Sequence, residues 1–277
     1  MAINLAKKYE AKTSDLMKVR RKTKGMTNQN WNWKGVDTIV VTTLTDADLV
    51  DYQTSGASRY GEVTEVEDTQ QTWTLTEDRA WTKSMDKKNI DDAMMIRQPG
   101  KYLAQMTKNK MVPELDAYIL STIVTAGAVY DRDDIVADAA TTANNAYTNF
   151  LDINANITDN EAPEDGRVAG MTAAYYNMLK QGGFVLDSDS AYRDRKTGNL
   201  GTVDGVSVTI IPSNRMPANT DLVITHPQVT VAPEKLVDYT LQKNPQGISG
   251  YVLEYRHRYD AFCDTNLINS VGIHKTA

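Results

Sequence analysis

The stretch NIDDAMMIRQPGKYLAQMTKNKMVPELDAYILSTIVTA, from Asn89 to Ala126, organises the reading of this chain. Downstream of Pro99 and Gly100, the residues Leu103, Met106, Val112, Leu115, Ile119, Ile123 and Ala126 recur three or four apart except for one gap. Lys101, Lys108 and Lys110 fall between them. This spacing predicts an amphipathic helix with one buried side. Pro99 is placed in its first turn, where no backbone N–H is needed, and any helix before it would be separate. Pro113 interrupts the pattern without changing its phase, which predicts a kink, and Gly127 is placed as the C-terminal stop. At roughly 1.5 Å per residue the segment would span about 40 Å, long for a compact domain.

The chain around it has 277 residues and a formal charge of −6, enough for one large or two ordinary domains. No uninterrupted apolar run approaches a membrane span, and MAINLAKKYEAK at the N-terminus lacks the apolar core of a secretory signal. A cytoplasmic origin with no membrane partner is expected. Cys263 is the only cysteine, which excludes an internal disulfide and a zinc–thiolate cluster; it reads as a half-buried strand residue. Charge is unevenly placed. Lys7, Lys8, Lys12, Lys18, Arg20, Arg21, Lys22 and Lys24 crowd the first two dozen residues against Glu10 and Asp15. Such a basic arm suits nucleic acid, an acidic partner protein or a solvated helix face. The net acidity argues against a chain that grips nucleic acid with its whole surface.

In chain order, Leu5, Tyr9, Leu16 and Val19 suggest a helix from about Ile3 to Lys22, too polar to fold alone. Trp31 and Trp33 lead into a strand-like run from Val36 to Leu44. From Leu49 the composition turns polar and rich in turn residues. TWTLTEDRAWTKSMD then reads as two alternating runs about a turn at Glu77, Asp78 and Arg79. Trp73, Leu75, Ala80, Trp81 and Met85 are the only large apolar content of this ribbon, which is marginal in water and must lean on its own body or another copy. Ala143, Tyr147, Leu151 and Asn154 set a helical stripe that closes before Asn160. Gly166–Met171 looks like a strand, and Thr172 caps a helix, AAYYNMLKQ, stopped by Gly182 and Gly183. Asp204 and Gly205 form the strongest hairpin signal, between Leu200–Val203 and Val206–Ile211. Further strands are expected at Leu222–Ile224, Asp238–Gln242, Tyr251–Phe262 and Val271–His274. Helices and strands without regular alternation indicate an α+β chain.

No constellation for catalysis emerges. His226, His257 and His274 lack metal-ligand spacing and read as structural. Ser188 and Ser190 beside Asp187 and Asp189 have no nucleophile elbow. Asp131, Asp133 and Asp134 lack the glycine and terminal glutamate of a calcium loop.

The run TLTEDRAWTKSMDKKNIDDAMMIRQPGKYLAQ, Thr74 to Gln105, resembles the major capsid proteins of tailed bacteriophages, which have the Hong Kong 97 fold. NLAKKYEAK, SGASRYGEVTEVEDT and HPQVTVAPEKL…GYVLEYRHRYDAF fit the same family in the same order, so the resemblance covers nearly the whole chain. It implies an N-terminal arm (1–35), a peripheral-domain strand (36–50), an extended E-loop (51–86), a peripheral domain with the spine helix (87–130), an axial domain (131–232) and C-terminal strands joining the two (233–277). The implied function is structural and not enzymatic, without cofactor or metal: self-assembly through hexamers and pentamers into an icosahedral shell around double-stranded DNA. Implied partners are further copies, a portal protein and a separate scaffolding protein, since no long scaffolding segment precedes the arm. Implied localisation is the virion, after assembly in the host bacterial cytoplasm. Candidate intersubunit contacts are Trp31, Trp33, Trp73, Leu75, Arg79 and Trp81, with the basic arm at Lys7, Lys8, Lys18, Arg20, Arg21, Lys22 and Lys24. For an isopeptide crosslink through Lys83, neither an asparagine partner nor a catalytic glutamate is indicated. The rival readings are an encapsulin-like cellular nanocompartment shell, a soluble hydrolase at the acidic clusters, and a nucleic-acid-binding protein acting through its arm.

Overall fold

The structure, a computed structural model, describes residues 21–28, 30–31, 38–88, 99–133, 140–182 and 201–276. Most of the helix expected over residues 3–22, the strand start at 36–37 and the stretch 89–98 lie outside them. Pro99–Met106 forms α1, Thr107–Met111 one π-helical turn and Val112–Val129 α2, so helix runs unbroken through the segment that the periodicity marked. Pro113, where a kink was expected, does not stop the helix; the turn just before it is π-helical, and the Val112 N–H donates to Thr107 O, five residues back. A proline ring crowds the carbonyl four residues before it and offers no donor, and a widened turn relieves both. Gly127 does not stop the helix. It lies under the C-terminal strand, where a β-carbon would stand 2.3 Å from Ile273 Cδ1.

Thr38–Leu44 (β1) and Asp68–Thr74 (β2) pair antiparallel, Ile39 opposite Trp73 and Leu44 opposite Asp68. Glu77–Asp86 (β3) does not fold back on β2, so the hairpin expected about Glu77–Arg79 is corrected. The chain instead turns a corner at Leu75 and Thr76 and continues into a different sheet. The corner's polar groups find partners in the C-terminal part of the chain: Asp260 Oδ2 accepts from the Thr76 N–H and hydroxyl at 2.8 and 3.0 Å, and Arg258 donates to Leu75 O at 3.0 Å. A tight hairpin would have had no such third layer to lean on.

Ala146–Asp159 (α3), Val168–Thr172 (β4) and Ala173–Gln181 (α4) follow. Thr172 caps α4 as expected, its hydroxyl accepting from the Tyr175 N–H at 3.2 Å. The buried stripe of α3 is Ala146, Asn149, Phe150, Ile153 and Ile157, displaced from the Tyr147–Leu151 face read in the sequence. Phe150 and Ile153 are fully buried in the cluster that Tyr147 meets only partly buried, so the more apolar face of the helix turns inward. Thr202–Val203 (β5) and Val206–Ile211 (β6) form the expected hairpin, with positive φ at Asp204 (48°) and Gly205 (76°), as a type I′ turn demands.

Thr220–Thr225 (β7), Thr230–Val231 (β8), Glu234–Lys243 (β9), Gly250–Tyr259 (β10), Phe262–Cys263 (β11) and Val271–Lys275 (β12) complete the chain. The main sheet runs β12-β7-β4-β6-β5, antiparallel except for the β4–β6 pair; β3-β10-β9 and β8-β11 form two smaller sheets. Side chains alternate across the main sheet. Leu222 and Ile224 join Phe150, Ile153, Tyr175 and Leu179 of α3 and α4, whereas Val223, Val271 and Ile273 meet Leu115, Ile119, Ile123 and Val124 of α2. The sheet is therefore sandwiched between helices, and α2 is its second cover. By length and composition the helix Gly100–Val129 could also cross a bilayer, beyond the expectation of no membrane-length segment, yet this packing gives its apolar side a protein partner.

Each fully buried Leu or Ile on α2 contributes about 1.5–3 kcal/mol. Ile119→Ala, at a fully buried position, is expected to lower stability by about 2–5 kcal/mol, read as a reduced urea midpoint of the isolated subunit.

Candidate functional site

The feature that stands out from the packed layers is the β1–β2 ribbon with its connecting loop, residues 45–67. Val40, Leu44, Leu49, Val50, Tyr52, Tyr60, Val63 and Val66 each expose more than half of their surface, and Leu49 and Val63 all of it. Few contacts order the loop from within: Gln53 N–H donates to Arg59 O at 3.0 Å, Thr45 N–H to Glu67 O at 2.9 Å, and Tyr52 meets Tyr60 edge-on at 5.0 Å. Large apolar side chains concentrated in water mark an interaction surface. The sequence reading missed these residues because, scattered among polar ones, they follow neither the helical nor the strand period. The available signal was the large apolar residues themselves, inside a turn-rich segment.

The base of the ribbon is anchored. Trp73 stacks on Phe262 at 5.8 Å and meets Trp31 edge-on at 5.2 Å, and Leu75 and Val231 close the cluster. Gln71 donates to Asp264 at 3.1 Å, and Asn266 donates to Thr43 at 2.8 Å. Trp73 and Leu75, 5% and 2% exposed, are thus filled from within the chain. This corrects the expectation that a neighbouring subunit covers them: tertiary contacts with β11 and β8 reach them first. Arg79 is no ribbon tip. It lies in β3 and pairs with Glu114 of α2 at 2.6 Å. Trp81 is half-buried in the same sheet, stacked on Tyr255 at 5.8 Å and edge-on to Tyr102. Trp31 is half-buried, and Trp33 lies outside the described residues.

Of the basic arm, Arg21, Lys22 and Lys24 are described; Lys7, Lys8, Lys18 and Arg20 lie outside. The arm enters the body over a buried carboxylate. Asp116 of α2, fully buried, accepts from the Lys22 and Thr23 N–H groups, from the Thr23 hydroxyl at 2.8 Å, and from Arg215 Nη1 at 2.7 Å. Arg21 in turn pairs with Glu234, whose second oxygen stands 3.3 Å from His257 Nε2. The His257 contact, helped by the Arg21 charge, holds the Glu234 carboxyl below the usual carboxylate range despite its burial. Neither Asp116 nor Glu234 was singled out by sequence, since each has partners more than 20 residues away.

The residues weighed for catalysis are dispersed. His274 is fully buried with Nε2 3.1 Å from Asn149 Nδ2, and His226 Nδ1 accepts from the Gln228 N–H at 3.3 Å. Cys263 is half-buried in β11, and burial pushes its thiol up to about 11, leaving a poor nucleophile. Asp131 is exposed and Asp133 pairs with Lys275, while Asp134 and residues 187–190 lie outside the described residues. Among the described residues no group of three or more His, Cys, Asp or Glu could hold a metal ion.

The architecture, an exposed ribbon on a body built of a long helix and a mixed sheet, is the Hong Kong 97 capsid fold of the tailed bacteriophages. No family model matches the sequence, and no curated protein does. Among solved structures, one from Mycobacterium phage Che8 is 16% identical and aligns over 98% of this chain and 96% of that one, with a TM-score of 0.78. The capsid of cyanophage P-SCSP1u (13% identity, 98% and 93% covered, TM-score 0.73) and the mature capsid of bacteriophage PhiM1 (13%, 98% and 92%, 0.72) align as fully. At such identities the likeness is one of fold.

Two outcomes are expected at the arm's entry. Asp116→Asn removes the negative charge that pairs with Arg215 and weakens the acceptor shared by the Lys22 and Thr23 N–H groups, and should destabilise the subunit by about 3–5 kcal/mol in urea unfolding. Glu234 has a lowered folded pKa, so its stabilising contribution is complete above the unfolded carboxylate value near 4.5 and is lost as pH falls through the folded value. Glu234→Gln should therefore flatten the loss of thermal stability below about pH 4.5.

Proposed function

We propose that this chain is a major capsid protein, a structural subunit that self-assembles through hexamers and pentamers into an icosahedral shell enclosing double-stranded DNA. The observation that carries this reading is the ribbon, which leaves large apolar side chains uncovered over residues 40–66 while its base is fixed to the body. Monomeric soluble proteins rarely leave such a surface in water. A closed shell covers it at every copy, and many modest contacts repeated around rings sum to a stable particle. Full-length likeness of fold to the P-SCSP1u and PhiM1 capsids supports the same conclusion.

In this reading the ribbon, β1, β2 and residues 45–67, is the E-loop, shifted toward the N-terminus from the span 51–86 given by resemblance. The long helix is the spine, α3, α4 and the five-stranded sheet form the axial domain, and residues 1–35 remain the arm. Among the described residues of the arm, Trp31, half-buried at the ribbon's base, is the aromatic side chain that could meet a neighbour. The protein works in the virion after assembly in the bacterial cytoplasm, with a portal and a separate scaffolding protein as partners. A cargo-enclosing cellular shell of the same fold would differ in what it encloses, so the nucleic-acid content of purified particles separates the two.

Leu49→Asp with Val63→Asp tests the reading. Both positions are fully exposed, so the isolated subunit should keep its stability within about 0.5 kcal/mol. Electron microscopy should show closed shells or capsomer rings for the unaltered chain and their loss in the variant. Shells formed equally well by both would reject the ribbon as the assembly surface.

A further inference from the structure

The sheet β3-β10-β9 ends on an uncovered edge. Among the described residues β9 pairs with β10 alone, and Asp238 to Lys243 are exposed along their length, Tyr239 by 63% and Leu241 by 48%. The pairing of the two strands tells which backbone groups stay free. Just past β9 the Asn244 N–H donates to Gly250 O at 2.7 Å, and the register sets Lys243 opposite Tyr251. Hydrogen-bonded pairs alternate along an antiparallel ladder, so Asp238, Thr240 and Gln242 spend their N–H and C=O groups on β10, while those of Tyr239, Leu241 and Lys243 point outward. Edge strands ordinarily carry charges, prolines or bulges that discourage further pairing. β3, at the opposite edge, has Asp78, Arg79, Lys83 and Asp86. From Tyr239 to Gln242 β9 has none of these devices, and the register shift against β10 lies at Arg258 and Tyr259, toward the other end of the strand.

We infer that β9 pairs antiparallel with β9 of a second copy about a two-fold axis at Thr240, joining two three-stranded sheets into one. The inference rests on the capsid reading: an icosahedral shell brings copies together across two-fold axes, and a surface used there must complement itself. The strand does so in this register. Tyr239 lies opposite Leu241 of the second copy, twice by symmetry, so two apolar pairs close over the axis on one face. On the other face Thr240 meets Thr240, flanked by Asp238 against Gln242. The outward backbone groups of Tyr239 and Leu241 then bond to each other across the axis. Registers one step to either side fit less well. Centred on Tyr239, the ladder sets Lys235 against Lys243, like charges directly opposed. Centred on Leu241, it loses a residue pair at each end, because Asn244 leaves the strand with φ 50° and Pro245 has no N–H to give. The contact is short, so it adds little to an isolated pair and gains weight from repetition around the shell.

Two full-length variants in a Cys263→Ser background test it. In a non-hydrogen-bonded antiparallel pair the α-carbons stand about 4.5 Å apart, within reach of a disulfide. Thr240→Cys, on the axis, should therefore join two copies in oxidised particles, read as a dimer band on a non-reducing gel. Gln242→Cys should not, since its counterpart is displaced by about four residues, on the order of 13 Å along the strand. Charge supplies a second reading. Thr240→Lys or Thr240→Glu opposes like charges at the axis and should slow assembly at low salt by about fivefold, whereas an equal mixture of the two variants should assemble faster than either alone. Urea unfolding of the isolated variants should match that of the unaltered subunit, because Thr240 is exposed. Particles that lack the Thr240→Cys crosslink, or that crosslink as strongly through Gln242→Cys, would overturn this inference and leave the capsid reading standing. Lysine and glutamate variants that assemble no faster together than apart would do the same. A chain that forms no particles at all defeats the capsid reading, and this inference with it.

Discussion

Asp116 is the point at which three separate parts of the chain meet. A carboxylate with no solvent exposure in the middle of an apolar helix is sustained only if its charge and its lone pairs are answered. Arg215 answers the charge from the connection between β6 and β7, and the backbone of Lys22 and Thr23 answers the lone pairs from the end of the arm. The helix, the main sheet and the arm are thereby held in one arrangement. Because each member loses a buried partner when another is broken, the junction favours one geometry over near-equivalent ones.

Around that junction the chain builds a body with a shared wall. Alternate residues of the main sheet feed two different cores, so Leu222 and Ile224 stabilise α3 and α4 while Val223 stabilises α2. The corner at Leu75 and Thr76 then sends the chain out of the ribbon and into the β3-β10-β9 sheet. Asp260 ties that corner to the helix as well, since it also accepts from the Tyr118 hydroxyl at 2.7 Å. The ribbon projects from a rigid base but has no second layer of its own, and that combination of anchored root and uncovered tip suits a subunit whose fold is completed by its neighbours.

Much of this was legible in local pattern. The helix followed from its three-to-four spacing, the β5–β6 hairpin from Asp204 and Gly205, and the start of α4 from Thr172, because each depends on neighbours in sequence. Pairing of β2 and β3 was misread because two alternating runs joined by a polar turn are the mark of a hairpin. The competing partners, β1 and β10, lie some 30 and 170 positions away in the register, Val40 against Thr72 and Arg256 against Ala80. Trp73 and Leu75 were assigned to a neighbour for the same reason: the sequence displays an apolar residue without displaying what covers it.

By itself, then, the sequence determined the secondary elements, the α+β class, the segregation of acidic and basic stretches and, through the order of its segments, the resemblance to capsid proteins. Backbone conformation and charge are set within a few residues, so a linear reading reaches them. Only the tertiary structure decided which strands pair, which tryptophans are buried, that Asp116 and Arg215 form a dry pair, and that residues 40–66 leave a concentration of large apolar side chains in water. Those depend on contacts between distant residues, and burial is a property of the closed body that no local stretch of the chain contains.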